Sequence, residues 1–395
     1  MTEQMALVKN ISTNGSSSPS NIININNILY FSAEDAAGGR ELWKSDGTTA
    51  GTTLVKDIRS GSGHSNPNML TNINGTLYFS SDDGINGREL WKSNGTASGT
   101  VLVKNIISGS SGSFPESLTN VNGTLFFKIS PGTNGKELWK SDGTAAGTVL
   151  VKTFHDNTRT ILQNFKGVNS TLYFIAYDSI HNVELWKSDG TPSGTVLVKD
   201  IQHDNGSPDI ALLTPAGSTL YFDAGDATSG YELWKSDGTS HGTVLIKDIY
   251  PGYESSTPME LTLMNGNVYF RADDAINGHE LWKSDGTLNG TALVKDIFPG
   301  SAYSNITGIT NVNGTLFFNA DDGINGSELW KSNGTAAGTV MVKDIYVGSG
   351  SSFPESFTNV NGTAYFLAYD GVSGFGGLWK SDGTPAGTIM IKALG

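Results

Sequence analysis

Two His-Asp pairs, His155-Asp156 and His203-Asp204, lie 48 residues apart, and Asn follows each of them. Neutral imidazole and carboxylate are suitable zinc ligands, so the pairs would make a metal or ligand site if their segments met in space. Exposed His-Asp-Asn is also ordinary loop composition. Three further segments gather oxygens: Asp82-Asp83-Gly84-Ile85-Asn86-Gly87, Asp273-Asp274-Ala275-Ile276-Asn277-Gly278 and Asp321-Asp322-Gly323-Ile324-Asn325-Gly326. Calcium takes about six to eight oxygen ligands, and Asp82, Asp83, Asn86, Asp273, Asp274, Asn277, Asp321, Asp322 and Asn325 are the weak metal candidates. Their spacing departs from the EF-hand loop, so turn formation is the plainer reading and no cofactor is expected. The eight Trp residues could stack on sugar rings. The chain holds no G-x-S-x-G, no H-E-x-x-H and no phosphate-cradling loop. Nearly every polar residue recurs instead, which argues against catalysis and for a scaffold or a multivalent binder.

The elements that must position these residues follow from a repeat. Trp occurs at 43, 91, 139, 186, 234, 282, 330 and 379, giving successive gaps of 48, 48, 47, 48, 48, 48 and 49. Each Trp sits in a version of Glu41-Leu42-Trp43-Lys44-Ser45-Asp46-Gly47-Thr48. In the second repeat, Met69–Ile73 reads as a strand and Asn74-Gly75 as a type I′ turn. Thr76–Ser80 is a second strand, Glu89–Ser93 a third and Thr100–Ile106 a fourth, with turn-rich loops between. Four antiparallel strands in a repeat of roughly 40 to 50 residues make a propeller blade. The expected fold is therefore all-β, an eight-bladed β-propeller with repeats at about 20–58, 68–106, 116–154, 163–201, 211–249, 259–297, 307–345 and 355–394. A ring would cover both faces of every blade, which suits the apolar run of the fourth strand. Buried Trp is then expected, with the repeated Lys pairing recurring Asp or Glu. Asp46 and its counterparts should cap tight turns, with Gly in the left-handed region.

Residues 1–19 form an extension whose Ala6-Leu7-Val8-Lys9-Asn10-Ile11 repeats the fourth-strand pattern. That strand therefore occurs once more than the other three. Ala6–Ile11 either competes for the closing place in the ring or derives from a preceding repeat of a longer array. The pattern also breaks at the linkers after repeats 3 and 4, and at Gly377, which replaces the motif Glu.

Net charge is −13 and charged residues make up 16% of the chain, which disfavours nucleic acid and anionic membrane as partners. No apolar run approaches the roughly 18 residues of a spanning helix, so membrane insertion is not expected. Residues 1–10 lack a signal-peptide hydrophobic stretch, which leaves a cytoplasmic setting open.

Glu-Leu-Trp-x-x-Asp-Gly-Thr, followed by Gly-Thr and an apolar strand ending in Lys-Asp, resembles the bacterial ELWxxDGT repeat family over nearly the whole chain. Asn94 and Asn333 depart from its Asp, and Gly377 from its Glu. The resemblance implies β-propellers in large exported or cell-surface bacterial proteins. The turn is also similar to the Asp-box hairpin of sialidase-like propellers, a likeness of fold alone. The function expected is a non-enzymatic scaffold or binding module for protein or glycan partners. A multivalent lectin is the alternative, and a hydrolase or lyase near repeats 4 and 5 a second.

Overall fold

A computed structural model describes residues 6–13, 15–35, 37, 39–131, 135–154, 161–201, 209–372 and 376–394. His155, Asp156, His203 and Asp204 lie outside them. The described residues form eight four-stranded antiparallel sheets and no helix. The chain is an eight-bladed β-propeller. It divides into two compact units, Ala6–Asp200 with blades 1 to 4 and Ile201–Gly395 with blades 5 to 8.

Within each blade, strands A to D follow one another in space as in sequence. Blade 1 comprises Ser20–Ile25, Ile28–Glu34, Arg40–Ser45 and Thr53–Lys56. The A–B hairpins turn on paired left-handed residues, such as Asn74 (φ 51°) and Gly75 (φ 85°), as a type I′ turn requires. The C–D turns are tied by the motif itself. Asp46 Oδ1 accepts from Thr48 N at 2.9 Å and from Thr48 Oγ1 at 2.7 Å, while Thr48 Oγ1 accepts from Gly51 N at 2.9 Å. Asp237 and Asp285 repeat these bonds in blades 5 and 6. Thr48 donors draw the Asp46 pKa below the usual carboxylate value. The recurring Asp therefore closes its own turn.

Alternation along strand C sends Leu and Trp to opposite faces. In blade 1 the Leu face (Tyr30, Leu42, Val55, Ile58) packs on Leu77, Phe79 and Trp91 of blade 2. Blades 6 and 7 repeat this with Tyr269, Leu281 and Val294 against Leu316, Phe318 and Trp330. Seven of the eight Trp residues are buried and Trp139 is half-buried, so the rings serve the core and offer no open sugar platform.

The repeated lysines reach backbone carbonyls across the blade junctions, and Lys92, Lys140, Lys235 and Lys331 also lie close enough to the turn aspartates Asp142, Asp189, Asp285 and Asp382 to help hold them ionised. Lys56 Nζ donates to Thr100 O of the next blade at 2.8 Å and lies 5.8 Å from the Trp91 ring centroid. Lys295 repeats this with Thr339 O and Trp330. Lys44 Nζ donates to Gly95 O at 2.8 Å. A carbonyl at the junction meets the ammonium as it leaves strand D, and the indole face adds a cation–π contact. Strand D is also less covered than its apolar run suggests. It is the outer edge, so Val103 is buried while Val101 is exposed.

Two faces depart from full burial. Leu29, on the Trp face of blade 1, is 38% exposed where its counterpart Leu77 is 1%. Val360 of blade 8 is 44% exposed where Val312 of blade 7 is 3%. The motif Leu is wholly buried in blades 1 to 7 and half-buried only at Leu378. Ala6–Ile11 joins no strand ladder. It lies beside blade 1, where Lys9 Nζ donates to Thr52 O at 2.7 Å.

Candidate functional site

The B–C loop and the D–A linker share one end of the blade, because strands B and D both run toward it. Side chains tie the two together there. Asn105 Nδ2 of the linker leaving blade 2 donates to Asn86 Oδ1 of that blade's B–C loop at 2.8 Å. Arg59, in the linker entering blade 2, meets Asp82 Oδ2 at 3.1 Å.

The acidic loops fold around their own backbone. Asp83 Oδ1 accepts from Ile85 N at 2.9 Å and Asn86 N at 2.7 Å, and Asp83 Oδ2 accepts from Asn86 Nδ2 at 2.7 Å. Asp82 Oδ1 accepts from Gly84 N. Asp274 and Asp322 make the same bonds in blades 6 and 7, to Asn277 and Asn325. Asp273 and Asp321 take the N–H groups of Ala275 and Gly323. Burial pushes the pKa of Asp83 and Asp322 up, but the donors of the Asn and Ile outweigh it and leave both lowered. The nine oxygen-bearing residues thus sit on three separate blades, each carboxylate satisfied by its own turn. Among the described residues no three His, Asp or Glu side chains cluster as a metal site would need.

What these loops present outward is apolar. Ile85, Ile180, Ile276, Ile324 and Val372 are 76%, 77%, 72%, 75% and 88% exposed. Each has its own N–H bonded to an aspartate two residues earlier: Asp83, Asp178, Asp274, Asp322 and Asp370. In the sequence these loops stand out for their oxygens, and the aliphatic tip is the less conspicuous feature. The available signal was an Ile recurring inside an otherwise Asp/Asn/Gly turn, where chain geometry alone asks for no apolar group.

The motif Glu has a different task. Glu41 accepts from Ile58 N at 2.8 Å, from Ser65 N at 3.2 Å and from Ser65 Oγ at 2.6 Å. It clasps the start and end of the D–A linker. Glu232 and Glu328 do the same with Ser256 and Ser352. Burial pushes the pKa of Glu232 and Glu280 up to about 7 against these donors. At Gly377 the place is filled by backbone, since Gly377 pairs with Ala393 and an added Cβ would stand 3.1 Å from Lys392 O.

Neither a family model nor a curated protein matches the chain. Among solved structures it is similar to puromycin hydrolase, at 14% identity over 91% of this chain and 59% of that one, with a TM-score of 0.42. It is similar to the β-propeller domain of the Trilobed protease from Pyrococcus furiosus, at 8% identity over 96% and 98% of the two chains, with a TM-score of 0.44. Oligopeptidase B from Leishmania major gives 12% identity over 90% and 53%, with a TM-score of 0.47. The chain spans 59% of the puromycin hydrolase and 53% of the oligopeptidase B. At these identities the likeness concerns fold alone.

Proposed function

We propose that this chain is a non-enzymatic propeller scaffold that binds protein partners through the aliphatic tips of its B–C loops. The observation that carries the reading is the exposed Ile or Val held by an aspartate on five blades. An apolar side chain on a preorganised loop costs little ordering when it enters a partner's pocket. Fully burying one such side chain is worth roughly 1.5–3 kcal/mol, and several on consecutive blades add through effective concentration. The repeated Trp residues are core and are not available as stacking faces for glycans, so the recurring exposed groups are the aliphatic tips. An exported or surface setting, the expectation from the motif, suits such a module.

The full chain and its Ile276→Ser, Ile324→Ser, Val372→Ser variant, immobilised side by side, test the reading. Both are exposed to an extract of the producing cells and to a glycan array. The expected result is a protein retained by the parent and lost from the variant, with the melting temperature unchanged. Equal retention by both, or binding confined to glycans, overturns it.

A further inference from the structure

We propose that the notch beside Gly376 in blade 8 is a binding site for a guanidinium on an alkyl stem, the head group of arginine, supplied from outside the chain. Every residue that argues for it belongs to blade 8 or to the linker entering that blade.

The starting observation is how the corresponding notch is filled in the first two blades. The residue before the motif Glu is Arg40 in blade 1 and Arg88 in blade 2. Arg88 Nη1 donates to Ser80 O at 3.1 Å and to Asn68 Oδ1 at 3.5 Å, and its Nη2 donates to Ser65 O at 3.4 Å. Arg40 Nη1 donates in the same way to Ser18 O at 2.9 Å and Ser32 O at 3.4 Å. The guanidinium thus ties the entering linker to strands A and B of its own blade. Blade 5 places Tyr231 there, and its hydroxyl donates to Asp209 Oδ2 at 2.9 Å.

Blade 8 keeps the walls of this notch and omits its occupant. Glu355 pairs with Leu367 as Asn68 pairs with Ser80. Tyr369 N donates to Ser352 O at 2.8 Å, as Asp82 N does to Ser65 O at 3.0 Å. Ser352, Glu355 and Leu367 therefore stand where Ser65, Asn68 and Ser80 receive Arg88, and Gly376 takes the place of the arginine. A cavity of about 330 Å³ opens there, with Ser352, Phe353, Glu355, Leu367, Tyr369 and Gly376 in its lining. A Cβ at Gly376 would meet nothing nearer than Ala368 O at 3.6 Å, so the space begins at the backbone itself.

Glu355 also lacks the cation that its counterpart in blade 3 possesses. There Glu116 stands opposite Lys128, and the two pair at 3.4 Å. Opposite Glu355 stands Leu367, and among the described residues Glu355 forms no ion pair. The notch thus offers a carboxylate, backbone carbonyls and the rings of Phe353 and Tyr369. A guanidinium fits that set, because its donors lie in one plane and its faces stack on aromatic rings. An ammonium has no plane to stack, and Glu355 repels an anion. The stem can come from an arginine of another protein or from a small alkylguanidine.

Isothermal titration calorimetry of the full chain tests this with three probes: butylguanidine, acetyl-arginine methylamide and acetyl-lysine methylamide. Both guanidines should bind at one site, about tenfold tighter than the lysine probe. Glu355→Gln should weaken them by about tenfold, since the hydrogen bond loses its charge. Glu355 is exposed, so folding is expected to survive that change, and far-UV circular dichroism checks it. Gly376→Arg should abolish binding and raise the melting temperature, because its own side chain takes the place that Arg88 takes in blade 2. Tighter binding of the arginine probe than of butylguanidine supports the site with a protein as the source. Equal binding of the two supports it with a small molecule as the source. No saturable binding of either guanidine up to about 10 mM, a concentration that reveals even weak affinity, overturns the proposal. So does binding that Glu355→Gln leaves unchanged, or a lysine probe that binds as tightly.

Discussion

Blades 5 and 3 carry the same Glu-Leu-Trp and use the Glu in opposite ways. Glu232 is fully buried and accepts from Ile249 N, Tyr250 N, Ser256 N and Ser256 Oγ. Glu137 is only half-buried, and among the described residues it accepts from Trp139 Nε1 at 2.8 Å. The difference begins after strand D. In blade 5 the chain leaves the ladder at once, and the carboxylate takes over as acceptor for the departing backbone. In blade 3 the ladder runs on, with Glu137 opposite Thr153 and Lys136 opposite Phe154. Thr153 and Phe154 favour extended backbone, and Phe154 makes edge contacts with Phe174 and Trp186. Those N–H groups are then committed to the sheet, and Glu137 turns back to its own Trp. How far the strand D ladder runs therefore bears on what the motif Glu accepts from.

The largest effect expected from this contrast is at the clasp. Glu232→Ala removes the acceptor for three backbone N–H groups and a hydroxyl, at roughly 1–3 kcal/mol for each group left buried and unpaired. A loss of about 3 kcal/mol or more in urea unfolding is expected. A loss below about 1 kcal/mol would mean water replaces the carboxylate and the clasp is not structural.

A pH profile sharpens the same point. Burial raises Glu232 and Glu280 to about 7 from an ordinary value of 4.5. The protonated form is thus favoured by folding. Its stabilisation is fully present below about pH 4.5 and lost as pH rises through about 7, at ~1.4 kcal/mol per unit of pKa difference. The melting temperature should fall between pH 5 and pH 8, and the fall should be shallower in Glu232→Gln. The lowered carboxylates Asp83 and Asp322 act the other way, but only as pH falls below about 4. A melting temperature that rises from pH 5 to pH 8 would show that the donors hold the clasp ionised.

The smallest effect belongs to blade 3. Glu137→Ala should cost about 1 kcal/mol or less, one hydrogen bond to a half-buried indole. A cost equal to that of Glu232→Ala would erase the distinction between the two blades.

Much of the fold was legible because its signals are local. The Trp spacing sets the blade count, Asn74-Gly75 sets a hairpin, and Asp46-Gly47-Thr48 closes its turn within a few residues. The buried Trp followed from strand alternation once both faces were expected to be covered. The partners of the repeated lysines were not legible, since Lys56 meets a carbonyl 44 residues away across a blade junction. The zinc pairs His155-Asp156 and His203-Asp204 stay outside the described residues. The exposed aliphatic tips of the acidic loops were not legible in the sequence, because which side of a turn faces solvent is a tertiary fact.

By itself the sequence determined the repeat, the four strands of each blade and the chemistry of its recurring Asn-Gly and Asp-Gly-Thr turns. All of these depend on residues close in the chain and on alternation along it. Tertiary structure alone decided which faces stay bare, where the lysine ammonium groups go, and that Ile85, Ile276 and Ile324 point outward. Each of those depends on what a neighbouring blade covers. Identical motifs acquire different surroundings from blade to blade, as with Leu29, 38% exposed where Leu77 is 1%.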